Sequence, residues 1–212
     1  PANPDEEELV DFKSIDADST PENSTATIPF ANTYNTTASD AFTPQVTKKI
    51  EGIDSTDKAF SFALTATPET QAKIAAGDLT VSDELAGGSE TRATTGTIAS
   101  DGQTLDFSGM TFAKAGDYTF TLAEAHDADD DATKDGVQNA GWTMDASTYD
   151  VTVTVADQGS KMTVTRVTVR DAAGNEVSPA VAGGKANLAT FTNAYGVDLD
   201  YGVRAGMQIT KV

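Results

Sequence analysis

The sequence predicts an all-β fold, a β-sandwich with one short helix. Several short segments alternate apolar and polar residues, threonine, valine and aromatic residues fill those segments, and turn-forming residues separate them. Alternation with a period of two places the apolar side chains on one face of a strand, and the residue types are those that strands prefer. Many short strands separated by turns are typical of a sandwich rather than of a helical or α/β fold.

Five segments show the alternation, and we expect each to be a strand with its apolar face in the core. They lie at residues 46–50, 60–64, 118–124, 149–155 and 191–195. The fourth leads through the turn-like residues 157–160 into residues 162–164, which predicts a hairpin. After Val164 the apolar positions shift to Val167 and Val169, which predicts a β-bulge.

One stretch, residues 68–76, has the signals of a short helix. Thr67 is suited to the N-cap, Pro68 to the first helical position, and Gly77 follows the expected end. We expect this to be the single helix of the fold.

Composition narrows the range of functions. The 212 residues include 33 acidic and 14 basic side chains, for a net charge of −19, and no cysteine. Such a charge is unfavourable for binding nucleic acid or an anionic membrane surface. The absence of cysteine excludes disulfides and thiolate metal sites, no apolar run is long enough to span a bilayer, and no motif calls for a cofactor.

The two ends of the chain carry an internal repeat. The pattern Phe-x-Asn-x-Tyr occurs around Asn32 and again around Asn193, and Gln-x-Thr-Lys ends at Lys48 and again at Lys211. Both matches have an offset of roughly 160 residues, which suggests a tandem array. We therefore predict that the chain has three parts. Residues 1–35 would be the last hairpin of a preceding repeat, residues 36–195 a complete module, and residues 196–212 the first strand of a following repeat.

Three polar residues fall on apolar strand faces. Lys48 shares the parity of the apolar residues of its segment, Glu124 continues the apolar face of residues 118–124, and Asn193 lies between two inward aromatic residues. Burying any one of them alone would be costly, so we expect them to meet. Burial would favour a neutral, nucleophilic lysine and a protonated glutamate that donates to the Asn193 carbonyl. Attack by the amine with loss of ammonia would then join Lys48 to Asn193. A non-covalent polar cluster is the alternative interpretation of the same pattern.

The ordered set of motifs resembles the pilin isopeptide-linkage domains of streptococcal-type major pilins, which also occur in multi-repeat Gram-positive surface adhesins. The motifs lie at residues 46–52, 60–62, 118–124, 142–145, 149–153 and 191–195. The resemblance implies an Ig-like (CnaB-like) sandwich, sortase anchoring to the cell wall, and an autocatalytic Lys–Asn bond. It places the lysine at Lys48, the asparagine at Asn193 and the acid at Glu124, while the acidic insert after Glu124 departs from compact members.

These observations favour a structural stalk or spacer module of an extracellular, cell-wall-anchored adhesin or pilus. Its expected partners are neighbouring repeats of the same protein, and it is not a turnover enzyme, because its triad is consumed in one reaction. The alternative is a module that binds a host glycan or protein through inserts at residues 65–110 or 125–141. Residues 127–135 crowd carboxylates as a calcium site would, but their spacing does not match an EF-hand, and a solvated acidic loop is the simpler interpretation.

Overall fold

The computed structural model describes residues 36–126 and 141–196, which contain fourteen strands and two helices. The strands are β1 (Thr43–Glu51), β2 (Ser55–Thr56), β3 (Ser61–Ala66), β4 (Leu79–Thr80), β5 (Ser89–Ala93), β6 (Ile98–Ala99), β7 (Gln103–Asp106), β8 (Thr111–Phe112), β9 (Gly116–Ala125), β10 (Trp142–Thr143), β11 (Thr148–Asp157), β12 (Met162–Asp171), β13 (Glu176–Val177) and β14 (Lys185–Tyr195). The helices are α1 (Pro68–Ala75) and α2 (Asp83–Ala86). Asn32, Lys211 and the acidic loop 127–135 lie outside the described residues, so the predicted repeat boundaries stay predictions.

Two sheets form the sandwich. One has four strands in the order β10-β14-β1-β7, and the other has six in the order β13-β12-β11-β9-β3-β5. Their inner faces meet in a core of aromatic and aliphatic side chains, where Phe191 of the first sheet contacts Phe62 and Tyr149 of the second at ring-centroid distances of 5.2 and 5.5 Å. The predicted β-sandwich is confirmed.

The first and last strands of the described module are neighbours in one sheet. β1 and β14 pair in parallel, with Lys48 opposite Phe191 and Ile50 opposite Asn193. Parallel strands cannot be joined by a tight turn, and here the rest of the sandwich forms the connection between them. This pairing brings the two ends of the module to one strand pair, where the polar residues of the predicted site lie.

The predicted helix is present as α1. The Thr67 side chain accepts a hydrogen bond from the Thr70 backbone N–H, Pro68 opens the helix, and Gly77 follows the C-cap with a positive φ of 78°. The expectation of a single helix is corrected by α2, a four-residue helix whose N-cap is Ser82. One turn of helix has too short a pattern to stand out in the sequence.

The predicted hairpin and bulge are also present. β11 and β12 pair antiparallel, and the turn contains Gly159, with a φ of 91°, whose N–H donates to Asp157 Oδ1. The register shifts where Thr154 faces Arg166 but Val155 faces Val164, so one residue of β12 is extra. This restores the inward orientation of the valines that follow.

Residues 65–110, considered above as an insert for ligand binding, contribute one edge strand to each sheet of the sandwich. β5 pairs with β3 at the edge of the six-stranded sheet, and β7 pairs with β1 at the edge of the four-stranded sheet. Neither helix in the described part of the chain is long and apolar enough to cross a membrane.

Candidate functional site

Lys48 lies in the core because of its position in β1. Its neighbours Val46 and Ile50 point inward on the same face and are fully or almost fully buried, whereas Lys49 is exposed. The Lys48 residue has an exposed fraction of 0%. The parity inference is therefore confirmed for this strand, and a lysine amine is located where water does not reach it.

Glu124 reaches the same place from the opposite sheet. In β9 it follows Tyr118, Phe120 and Leu122 on the inward face, and its residue is 5% exposed. Asn193 in β14 is two residues after the buried Phe191 and is 0% exposed. The structure thus brings together all three residues that the sequence pattern selected.

The three side chains form one hydrogen-bonded chain centred on the glutamate. Lys48 Nζ lies 3.0 Å from Glu124 Oε2, and Asn193 Nδ2 donates to Glu124 Oε1 at 2.7 Å. Register explains the arrangement, since Lys48 and Asn193 are two positions apart on one face of the β1–β14 pair. With strands about 4.8 Å apart and a rise of about 3.3 Å per residue, such diagonal neighbours are roughly 8 Å apart at their Cα atoms, within reach of a lysine side chain.

Burial sets the charge balance of the site. Desolvation lowers the pKa of Lys48, against the opposing effects of Glu124 and Asp145. Desolvation also raises the pKa of Glu124, against the effects of Lys48, Asn193 and His126. Both shifts move the shared proton from the amine toward the carboxyl group. A neutral amine next to a protonated acid is the combination that amide chemistry needs.

Aromatic rings enclose the amine. Lys48 Nζ lies 4.4 Å from the centroid of the Phe60 ring, and Phe60 packs edge-on against Trp142 at 5.2 Å. Trp142 in turn contacts Tyr195 at 5.2 Å. These rings exclude water, so the polar contacts within the site act in a low-dielectric environment.

Two further groups touch the Asn193 carboxamide and were not selected from the sequence. The backbone N–H of Asp145 donates to Asn193 Oδ1 at 2.7 Å, and Met144 Sδ lies 3.5 Å from Asn193 Nδ2. A backbone N–H can only donate, so the carboxamide oxygen faces Asp145 and its nitrogen faces Glu124. The expectation that Glu124 donates to the carbonyl oxygen therefore differs from this arrangement. In the sequence, residues 142–145 were noted only as one of the motifs shared with the pilin domains. No sequence pattern indicates which backbone N–H will donate to a side chain.

No metal site accompanies these residues. Among residues 36–126 and 141–196, no group of three or more histidine, aspartate or glutamate side chains is placed to hold an ion. A second buried acid, Glu90, is 0% exposed and lies within 2.6 Å of Arg92, and it accepts from the Ser108 N–H and the Ser82 hydroxyl. That group is satisfied by its partners and has a structural role at the β3–β5 edge.

A protein-family model matches most of the chain. The family described as "FctA: Spy0128-like isopeptide containing domain" matches residues 44–196. Two similar solved structures are a major pilin from Streptococcus pyogenes, with 16% identity, coverage of 74% of this chain and 51% of that chain, and a TM-score of 0.43, and the T-13 major pilin from the same organism, with 16% identity, 76% and 54% coverage, and a TM-score of 0.42. The chain therefore spans about half the length of these pilins. No curated protein matches it.

Proposed function

Because this chain belongs to the family of Spy0128-like isopeptide-containing domains, we propose that it is a structural module of a Gram-positive surface pilus or adhesin, cross-linked by an isopeptide bond between Lys48 and Asn193. One observation carries the proposal: Lys48 and Asn193 are both fully buried and both contact the same carboxyl group, that of Glu124. A merely structural cluster would gain more from apolar side chains of similar volume.

The reaction needs no group from outside the site. The neutral Lys48 amine attacks Asn193 Cγ and forms a tetrahedral species with negative charge on Oδ1. Glu124 gives its proton to Asn193 Nδ2, which leaves as ammonia, and takes up the proton that the amine loses. A new C–N bond replaces the old one, and Glu124 ends in its starting protonation state. The folded core holds the reactants together, which supplies the effective concentration that amide exchange otherwise lacks.

The bond would serve a mechanical purpose. Force that enters at the start of β1 and leaves at the end of β14 pulls two adjacent parallel strands past each other. A covalent link between them would carry that force directly, so the connecting residues would not be extended. This supports a spacer that keeps its length under tension.

The setting follows the same proposal. The module would stand outside the cell, anchored to the cell wall, with neighbouring repeats or subunits of the same protein as its partners. It would form its bond once and would not turn over a substrate. Residues 65–110 contribute edge strands to both sheets, which argues against their being a separate ligand-binding insert. Most of the other candidate insert, residues 125–141, lies outside the described residues.

Intact mass of the folded chain tests the bond. We expect the chain to be one ammonia lighter than its sequence mass, and a proteolytic digest to contain one branched peptide that joins Lys48 to Asn193. Lys48→Met should restore the full mass, whereas Lys49→Met, at the exposed neighbouring position, should keep the loss. An unshifted mass in wild-type protein shown to be folded would refute the bond.

A further inference from the structure

The carboxamide of Asn193 is held at both ends. Its nitrogen donates to Glu124 Oε1, and its oxygen accepts from the backbone N–H of Asp145, both at 2.7 Å. The first contact lies at the group that would leave. The second lies at the oxygen on which negative charge would develop during attack.

The N–H of Asp145 is itself fixed by the side chain of the same residue. Asp145 Oδ2 accepts from the backbone N–H of Thr192 at 2.8 Å, and Asp145 Oδ1 accepts from the backbone N–H of Ser147 at 3.0 Å. Thr192 directly precedes Asn193 in β14. Asp145 therefore makes two kinds of contact. Its backbone N–H binds the reacting side chain of Asn193, and its carboxylate binds the backbone of β14 next to Asn193.

We infer that the backbone N–H of Asp145 is the oxyanion donor of the reaction between Lys48 and Asn193, and that the Asp145 carboxylate is the positioning group for this donor. The inference rests on the proposed isopeptide bond. Glu124 then handles protons at the amine and at the leaving nitrogen, while Asp145 stabilises charge on Oδ1. A donor already in place at the developing charge costs no reorganisation when the reaction occurs.

The division of roles follows from the orientation of the carboxamide. The main-chain N–H of Asp145 cannot accept, so it requires an oxygen opposite it. Asn193 Nδ2 is then left for Glu124, which accepts this hydrogen bond and is close to the atom that departs as ammonia. In this orientation Glu124 is not the donor to Oδ1, and another group must supply that role.

The charge of the Asp145 carboxylate acts in the opposite direction to its positioning role. Its negative charge favours the protonated amine of Lys48, and so raises the pKa of the nucleophile. If the carboxylate affected the reaction only through this charge, removing it would give more neutral amine and faster bond formation. If it positions the N–H, removing it gives slower formation. The two roles therefore predict changes of opposite sign.

A single-atom change tests the donor directly. The full chain is made by cell-free translation with an α-hydroxy acid at position 145, so that an ester oxygen replaces the N–H of Asp145. The matched control carries an ester at Ala146, one residue further along. Samples are quenched at timed intervals, checked for folding by circular dichroism, and analysed by intact mass for loss of ammonia.

We expect the position-145 ester to form the bond about 100-fold or more slowly than the position-146 ester, the usual effect of losing one oxyanion donor. Equal rates for the two folded esters would overturn the inference while leaving the bond in place. A wild-type chain that folds without losing ammonia would overturn the bond itself, and the inference with it.

Side-chain variants decide the question if the position-145 ester does not fold. Asp145→Ala removes the acceptors for Thr192 and Ser147, and Asp145→Asn removes the charge but keeps one acceptor oxygen. We expect Asp145→Ala to be slow across the whole pH range and Asp145→Asn to recover part of the rate. A folded Asp145→Ala chain that reacts at the wild-type rate or faster would overturn the inference.

Discussion

Replacing Lys48 with methionine isolates the stability that the proposed bond contributes. Methionine fills most of the space of the buried lysine stem without an amine. Glu124 keeps its hydrogen bond from Asn193, and because burial raises the pKa of Glu124, this acid can stay neutral in the variant. The substitution therefore removes the cross-link without leaving a buried charge unpaired.

The size of the effect follows from the length of chain that the bond closes. In the chain-entropy account, a cross-link that closes a loop of about 145 residues destabilises the unfolded state by about 5 kcal/mol. For a domain of this size, each kcal/mol corresponds to about 2–4 °C in Tm. Lys48→Met should thus melt roughly 10–20 °C below the wild-type protein.

Thermal unfolding monitored by circular dichroism measures this difference, with intact mass recorded on the same samples. Lys49→Met is the control, because it removes one lysine from the same strand at an exposed position, and it should melt close to the wild type. The reasoning is refuted if the wild type has lost ammonia and Lys48→Met nevertheless melts within a few degrees of it. If Tm falls equally in Lys48→Met and Lys49→Met, the effect comes from the loss of a positive charge and not from the bond.

Three other predictions concern the same reaction. Glu124→Ala should fold, retain the full sequence mass and melt below the wild type, and loss of ammonia from this variant would refute the role of Glu124. Bond formation should be fastest at a pH between 4.5 and 10.5, the ordinary pKa values of glutamate and lysine. The reason is that burial raises the pKa of Glu124 and lowers the pKa of Lys48. Timed mass measurements should show slowing in acid, where the amine is protonated, and in alkali, where Glu124 loses its proton. Asn32 and Lys211 should stay unlinked, so a digest should contain one branched peptide and not two.

Strand parity made the candidate site predictable. A period of two assigns every second residue to the core, so Lys48, Glu124 and Asn193 could be placed inside from their apolar neighbours alone. The helix α1 was predictable for a related reason, because Thr67, Pro68 and Gly77 each suit one position at a helix end. In both cases a local rule links residue type to structure.

Other features depend on contacts between distant parts of the chain and left no such signal. The short β5 contains Glu90 and Arg92 but no large apolar residue, so its sequence gives no sign of a buried face. The structure instead buries Glu90 completely, because Arg92, Ser82 and Ser108 satisfy its carboxylate. The donor role of the Asp145 main chain is invisible for another reason: every residue except proline carries an N–H, so only geometry can distinguish one.

The position of the proposed bond within the two strands has a consequence for how the module would bear force. Lys48 lies beyond the middle of β1, and Asn193 lies two residues before the end of β14. In the bonded form, tension would pass through residues 43–48, cross the bond, and leave through residues 193–195. The backbone just after β1 approaches the end of β14 closely, since a Cβ on Gly52 would lie only 2.0 Å from the Tyr195 carbonyl oxygen. The hydrogen bonds and core contacts between residues 49 and 192 would then lie off the path of the force, so the module would not need a strong sandwich to resist extension.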